Sequence, residues 1–187
     1  MERTDQIVTR DKERTRRAIL DAAEQMFAEH GSKASLAAIA KAAGVTQGGL
    51  RHHFPTREAL LYAVVEHSIE RMWAEIHAHV DLSENRPGKL LRGYIRALTG
   101  DSQYLATVLD PAGLSAALGN VSGLDELYAR DAENLKAALV ADGVEYARAL
   151  VIQHAAEGLA VARSSPYLTD EDLALARAEL LAMTEVE

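Results

Sequence analysis

The sequence has no cysteine, only 4 prolines among its 187 residues, and few aromatic residues (5%). The absence of cysteine excludes disulfides and thiolate metal sites, and it is typical of a reducing compartment. No apolar run reaches the roughly 18 residues that a membrane-spanning helix needs, and the polar N-terminus lacks the apolar region of a signal peptide. We therefore expect a soluble, cytoplasmic protein without a membrane partner.

The sequence is also poor in β-branched runs, and no stretch alternates polar and apolar residues with a period of two. Apolar residues nevertheless make up 48% of the chain. Many of them are alanine and leucine, which are strong helix formers. Because the apolar positions recur at helical spacing, the sequence predicts an all-α protein with a sizeable core.

Basic residues are outnumbered overall, and the net charge of −8 argues against nucleic acid as a partner. The distribution of the charge argues the other way. Residues 1–57 contain 10 basic and 7 acidic residues, whereas residues 58–187 contain 10 and 21. A basic N-terminal part joined to an acidic remainder is expected when only one end of a protein meets phosphates.

Two domains are predicted, one over residues 1–57 and a second over residues 58–187. The first domain begins with a flexible arm over residues 1–10. Apolar residues then follow the period of a helix from Lys12 to His30, and the next residue is a glycine, which is typical of a helix C-terminus.

Two short helices follow, separated by a glycine turn. Ser35 is a suitable N-cap for a helix over residues 36–43, and Thr46 is a suitable N-cap for a helix over residues 47–53. Gly44 between them can adopt the left-handed conformation that a tight turn requires. This arrangement is typical of a helix-turn-helix, whose second helix enters the major groove of DNA.

Two adjacent glycines, Gly48 and Gly49, stand in the first turn of that second helix. Each costs about 1 kcal/mol relative to alanine inside a helix, so their presence needs a reason. Close approach to a DNA backbone is one reason, and close packing against the first helix is the other. The sequence leaves both open.

Residues 12–65 resemble the DNA-binding region of the tetracycline-repressor (TetR) family. The matching segments are FAEHG and SLAAIAKAAGVTQGGLRHHFPTREAL, which follow the family's IAxxAGV and G-small-L-Y-x-H-F patterns. Three positions depart from the family: Ser32 replaces an aromatic residue, Arg51 a tyrosine and Arg57 a lysine. Arginine can contact phosphates as the tyrosine and the lysine do, because it carries more hydrogen-bond donors.

The resemblance implies a transcriptional regulator that binds double-stranded operator DNA. Gln47 would reach a base edge, most naturally that of adenine. Ser35 and Thr46 would offer hydroxyls and backbone amides to phosphates. The expected DNA-binding residues are Ser35, Thr46, Gln47, Gly48, Gly49, Arg51, His52, His53 and Arg57.

The helix predicted over residues 144–163 is apolar almost all round, so it must be covered on two sides. One side can face its own domain, and the other can face a second copy of the chain. In the family the two penultimate helices form the dimer interface, and the helices over residues 124–140 and 144–163 match them in position. The expected interface residues are Leu124, Leu127, Leu135, Leu139, Ile152, Ala155, Ala156 and Leu159. A buried central helix of a monomer is the alternative.

An effector pocket is also implied by the resemblance, among the helices between the fourth and the eighth. Tyrosines in an otherwise aliphatic interior suit a mostly apolar small molecule with a few polar groups. The candidate pocket residues are Trp73, Tyr94, Tyr104, Leu105, Leu109, Leu114 and Tyr128. Plain core packing is the alternative for each of them.

No catalytic constellation, metal site or cofactor motif is visible in the sequence. His77 and His79 diverge on a helix and make a poor metal pair, and His154 is expected inside an apolar helix. The sequence therefore predicts a repressor that a small-molecule effector releases from a palindromic operator. The alternatives are an activator of the same fold, a ligand carrier with a degenerate DNA-binding domain, and a small helical enzyme.

Overall fold

The computed structural model describes residues 2–100, 102, 104–105, 121–163 and 165–185, with side chains from residue 11 onward. In this part of the chain the fold is all-helical, as predicted, and contains no strand. The α-helices are α1 Glu2–His30, α2 Leu36–Ala42, α3 Gln47–His53, α4 Arg57–Ala78, α5 Lys89–Leu98, α6 Leu124–Ala141, α7 Tyr146–Ala162 and α8 Asp170–Ala182. The apolar spacing also predicts helices over residues 102–109 and from Pro111 to residue 118, and these lie largely outside the described residues.

Side-chain caps set the ends of the short helices. Ser35 Oγ accepts a hydrogen bond from the amide of Ala38 (3.1 Å), and Thr46 Oγ1 accepts one from the amide of Gly49 (3.0 Å). Gly44 has a φ of +68°, a conformation that strains any residue with a Cβ atom. The predicted N-caps and the predicted glycine turn are thus confirmed. The cap at Thr46 fixes the start of α3 at Gln47.

The first helix begins earlier than the sequence predicted. α1 starts at Glu2, whereas a flexible arm was expected over residues 1–10. No glycine or proline occurs in this stretch. Once the rest of α1 is formed, each added residue gains a backbone hydrogen bond without a new nucleation cost, so the helix can continue toward the N-terminus.

The described residues divide into two compact units. The first, called the head unit below, contains residues 2–68 and 121–125. Side chains without exposed surface in its core are Ile19, Ala23, Phe27, Ile39, Leu50, Leu60 and Val64. The boundary predicted after Arg57 falls too early, because α4 buries Leu60 and Val64 in this core.

The second unit, called the body unit below, contains the other described residues. Helix α5 packs against α7, and α8 packs against both. The Asp142 carboxylate accepts hydrogen bonds from the amides of Leu90 and Leu91, both at 2.9 Å. A carboxylate at this position satisfies amides that have no partner within the helix and complements its dipole. Asp142 therefore fixes the start of α5.

Arg92 is buried in the body unit and hydrogen-bonds to the loop before α5 and to a residue after α8. Its Nε donates to Glu84 Oε2 (2.7 Å), and its NH1 donates to Pro87 O (3.0 Å) and Thr184 Oγ1 (3.2 Å). The hydrogen bond from Arg92 holds the pKa of Glu84 below its ordinary value. The network joins α5 to the preceding loop and to the residues after α8.

Gly93 is expected to be indispensable for the packing of α5. A Cβ atom at this position would lie 2.6 Å from Val80 Cγ2 and 3.1 Å from the Val80 backbone. Overpacking costs about 1–3 kcal/mol, which exceeds the gain of about 1 kcal/mol that alanine brings to a helix. Gly93→Ala should therefore lower the midpoint of urea unfolding.

Gly48→Ala is the matched control for this prediction. A Cβ atom there would meet Thr46 Oγ1 at 3.9 Å and no other described atom within 4 Å. This variant should raise the midpoint, because the helix gains and nothing is displaced. A midpoint of urea unfolding for Gly93→Ala that equals or exceeds that of the wild-type protein would contradict the close packing of α5 against Val80.

Candidate nucleic-acid interface

The first turn of α3 is open to solvent. Thr46, Gln47 and Gly48 are exposed, and Gly49 is half-buried. A Cβ atom at Gly49 would lie 3.3 Å from Thr46 Oγ1 and 3.9 Å from Val45 Cβ. Neither glycine approaches α1, so packing against the first helix does not account for them. The first turn of α3 thus presents one glutamine beside bare backbone.

The opposite face of α3 is anchored in the head unit. Leu50 has no exposed surface, and Phe54, the residue that caps α3 at its C-terminal end, is 2% exposed. The guanidinium carbon of Arg16 lies 4.7 Å from the centroid of the Phe54 ring. Because Leu50 and Phe54 are four residues apart, they hold one side of the helix and leave the other side outward.

Three basic residues occupy the last turn of α3. Arg51 and His52 are exposed, and His53 is half-buried. The rings of His52 and His53 lie edge to face, with centroids 5.8 Å apart. Burial lowers the pKa of His53, and the nearby charges of His52, Lys12 and Arg16 lower it further. His53 therefore has three basic residues in its neighbourhood: His52, Lys12 and Arg16.

Arg57 has an intramolecular role that the sequence did not predict. Its guanidinium donates to the carbonyl oxygens of Ala34 and of Ser32, the latter at 3.1 Å. It also lies over the ring of Phe27, 4.9 Å from the centroid. These contacts give Arg57 a structural role, because they fasten the segment between α1 and α2; its phosphate contact stays a prediction.

Sequence reasoning missed two basic residues on α1, Lys12 and Arg16. They are four residues apart and so share one side of the helix. Both act on His53 of α3. Their spacing of four residues could have been noticed in the sequence. Only the fold shows that this side of α1 lies beside the end of α3.

The residues predicted for a dimer interface mostly face inward. Leu124, Leu127, Leu139, Ile152 and Ala156 are buried, and Leu135, Ala155 and Leu159 are partly buried against the core of the body unit. Side chains buried in their own unit cannot contact a second copy. These five residues therefore pack inside their own chain: the apolar stripe of α6 faces the core, and one apolar side of α7 does the same.

The exposed side of α7 carries a different set of small and apolar residues. Val151 is 59% exposed and Val161 is 42% exposed. Between them, a Cβ atom added to Gly158 would meet no described atom within 4 Å. His154, expected in the interior, is on this side as well, where its Nδ1 lies 3.0 Å from Glu157 Oε2. Helix α7 therefore exposes two valines and a glycine beside the His154–Glu157 pair.

The candidate effector residues differ in their burial and in their contacts. Tyr94 is buried, and its hydroxyl donates to Glu157 Oε1 (2.6 Å). Trp73 Nε1 donates to Asp131 Oδ1 (2.8 Å), and the Tyr104 ring lies under the guanidinium of Arg71.

The remaining effector candidates are Leu105, Leu109, Leu114 and Tyr128. Leu105 is fully buried, whereas Tyr128 is 45% exposed, which does not suit an interior pocket. Leu109 and Leu114 lie outside the described residues.

His77 and His79, which the sequence made a poor metal pair, are exposed on α4 and just after it. No group of three potential metal ligands is found among the described side chains, and none of the helices described is long and apolar enough to cross a bilayer.

Helix, glycine turn and open helix together define a helix-turn-helix protein. Residues 19–64 match the family model of bacterial regulatory proteins, tetR family. Residues 88–185, more than half of the chain, match the model of the tetracyclin repressor-like C-terminal domain. The chain therefore belongs to the tetracycline-repressor family of bacterial regulatory proteins.

Individual curated relatives are similar over about a third of the chain. The HTH-type transcriptional repressor Rv1474c of Mycobacterium tuberculosis is 42% identical over 60 residues, which are 32% of each protein. The HTH-type transcriptional regulator UidR of Escherichia coli is 38% identical over 68 residues, 36% of this chain and 35% of UidR. The chain thus spans about a third of the length of these curated relatives.

The fold as a whole is similar to solved structures of transcriptional regulators. One from Rhodococcus sp. Rha1 has a TM-score of 0.68 and 23% identity, and the match covers 92% of this chain and 95% of that one. At this identity the likeness concerns the fold.

Arg57→Ala should destabilise the protein, since it removes hydrogen bonds from a charged donor to two main-chain carbonyls. The expected loss in the free energy of unfolding is about 1.5–3 kcal/mol, measured by urea titration. Arg51→Ala is the control, because an exposed arginine without such contacts should change the free energy by less than about 0.5 kcal/mol. Equal effects of the two variants would refute the fastening role of Arg57.

Proposed function

We propose that this chain is a transcriptional repressor that binds a palindromic operator as a homodimer and is released by a small-molecule effector. The observation that carries the proposal is the open first turn of α3, with Gln47 exposed beside Gly48. A glutamine side chain can form two hydrogen bonds with the major-groove edge of adenine. In a bacterial cell such a regulator acts in the cytoplasm, where the DNA is.

The expected contacts divide into base reading and phosphate binding. Gln47 reads a base, and Gly48 lets the helix backbone approach the DNA. The hydroxyls of Ser35 and Thr46 already accept capping hydrogen bonds, so they can donate their protons to phosphate oxygens. Arg51 and His52 reach the backbone from the end of α3. The excess of basic residues in the N-terminal part supports this orientation.

Dimerisation is proposed through the exposed side of α7. Val151 and Val161 lie on it, with Gly158 between them. A glycine at that point lets the backbone of a second α7 come close. A two-fold interface of this kind repeats the same patch on both copies. It would present two α3 helices about 34 Å apart, one turn of DNA, which explains a palindromic operator.

The effector is proposed to bind in the body unit, near Trp73, Tyr94 and Tyr104. Their polar atoms and rings are engaged by Asp131, Glu157 and Arg71, so a ligand must exchange these partners for its own groups. An effector releases DNA only if it favours a conformation that fits the operator poorly.

Gln47→Ala should relax sequence preference without abolishing DNA binding. Selection from a random duplex library with the full chain would first define the operator. The variant should then lose about 1–3 kcal/mol of discrimination at one position of each half-site, in electrophoretic shifts at fixed salt. Arg51→Ala is the matched control, since loss of a phosphate contact weakens all sequences alike and lowers the salt dependence. An unchanged consensus for Gln47→Ala would remove the base-reading role.

Val151→Asp should separate the two copies, because it places a charge in an apolar interface. Light scattering after size exclusion should show the mass of one chain, and operator affinity should fall with it. Leu175→Asp is the control, since Leu175 is equally exposed (65%) but lies on α8. A variant Val151→Asp that keeps the mass of the wild-type dimer would contradict the proposed interface.

A further inference from the structure

A cleft of about 600 Å³ in the head unit has no assigned occupant. It lies between α1, the end of α3, the start of α4 and the segment at Val121. Pockets for small molecules in proteins are commonly about 300–1,000 Å³. The cleft is therefore large enough for a ligand of several heavy atoms, and it is separate from the effector residues of the body unit.

One wall of the cleft is cationic. Lys12 and Arg16 line it from α1, and His52 and His53 line it from α3. Among the described residues, neither Lys12 nor Arg16 has an ion-pair partner. After burial, the charges of His52, Lys12 and Arg16 are what depress the pKa of His53. Positive groups held this close repel one another, and an anion between them would relieve the repulsion.

The other wall is apolar and aromatic, with two carboxylates. Tyr62, Ala63 and Val121 supply the apolar surface, and Glu58 and Glu66 line the same side. The carboxylates would repel a continuous strand of phosphates. A single charged group directed toward α1, with an uncharged body toward α4, avoids that repulsion.

We propose that this cleft binds a small organic anion, with its charged group between Lys12, Arg16 and His53 and its apolar body against Tyr62 and Val121. The site goes beyond the proposed function, which places the effector in the body unit. Because His52 and His53 belong to α3, the anion and operator DNA would contact the same helix. Any effect of one on the binding of the other is reciprocal.

The test uses benzoate as the probe, because it combines a carboxylate that stays charged above pH 5 with an apolar ring. Acetate supplies the charge alone, and benzyl alcohol supplies the ring alone. The full chain, with isotope-labelled histidine and without DNA, is titrated by NMR. Benzoate should bind saturably and raise the titration midpoint of His53 by about 1 pH unit, because a nearby anion favours the charged imidazole. Acetate and benzyl alcohol should bind at least roughly tenfold more weakly.

Variants on α1 separate the site from general effects of charge. Lys12→Gln and Arg16→Gln should each weaken benzoate binding roughly tenfold, as expected for loss of one charged hydrogen-bond donor. Arg16 also packs on Phe54, so Lys12→Gln decides the matter if Arg16→Gln does not fold. Arg14→Gln is the matched control: Arg14 lies on the same helix but pairs with Asp11 at 3.1 Å, and binding should be unchanged.

Three results would overturn the proposal: no saturable shift of His53 with benzoate, an equal shift in Lys12→Gln, or equal binding of acetate. A shift of His53 with operator DNA but not with benzoate would also overturn it, because the cleft would then belong to the DNA interface. Failure of the DNA-binding function would appear separately, in electrophoretic shifts made without benzoate.

Discussion

The burial of Leu50 and Phe54 is the constraint on which the rest of the head unit depends. Complete burial of an aliphatic or aromatic side chain contributes roughly 1.5–3 kcal/mol, so these two residues fix the rotation of α3 about its axis. With that side held in the core, the side that carries Gln47 and Gly48 must face outward. The reading surface is thus a consequence of core packing, and the caps at Ser35 and Thr46 determine where it begins.

The supports of this arrangement come from outside the helix-turn-helix itself. Arg57, the first residue of α4, holds two carbonyls of the segment that leads into α2. Arg16 of α1 covers the ring of Phe54. A short helix of 7 residues has little intrinsic stability, because isolated helices shorter than about 12 residues are marginal in water. Tertiary contacts therefore keep α3 in place.

Local signals in the sequence were sufficient for the short helices of the head unit and their ends, but not for the start of α1 at Glu2. Ser35 and Thr46 cap through their own side chains, and Gly44 turns because it lacks a Cβ atom. Each of these features depends on residues a few positions apart. The same is true of the matching motif, which lies within one continuous stretch.

Features that depend on distant contacts could not be predicted in this way. Val151 and Ile152 are adjacent and similar, yet about 100° of helical rotation makes one exposed and the other buried. Arg57 looked like an exposed cation, because its partners at Ala34 and Ser32 lie more than 20 residues earlier in the sequence. Lys12 became relevant to α3 only through the packing of α1.

The central claim is that two copies of α3 enter successive turns of one DNA groove, and tethered DNA cleavage tests it most directly. Since the chain has no cysteine, Ala42→Cys at the exposed end of α2 provides a single attachment point for an iron chelate beside the turn into α3. In the protein–DNA complex isolated by electrophoretic shift, we expect two symmetric clusters of strand cleavage about 10 base pairs apart. A single cluster, or cleavage at background level in a complex that still forms, would contradict it.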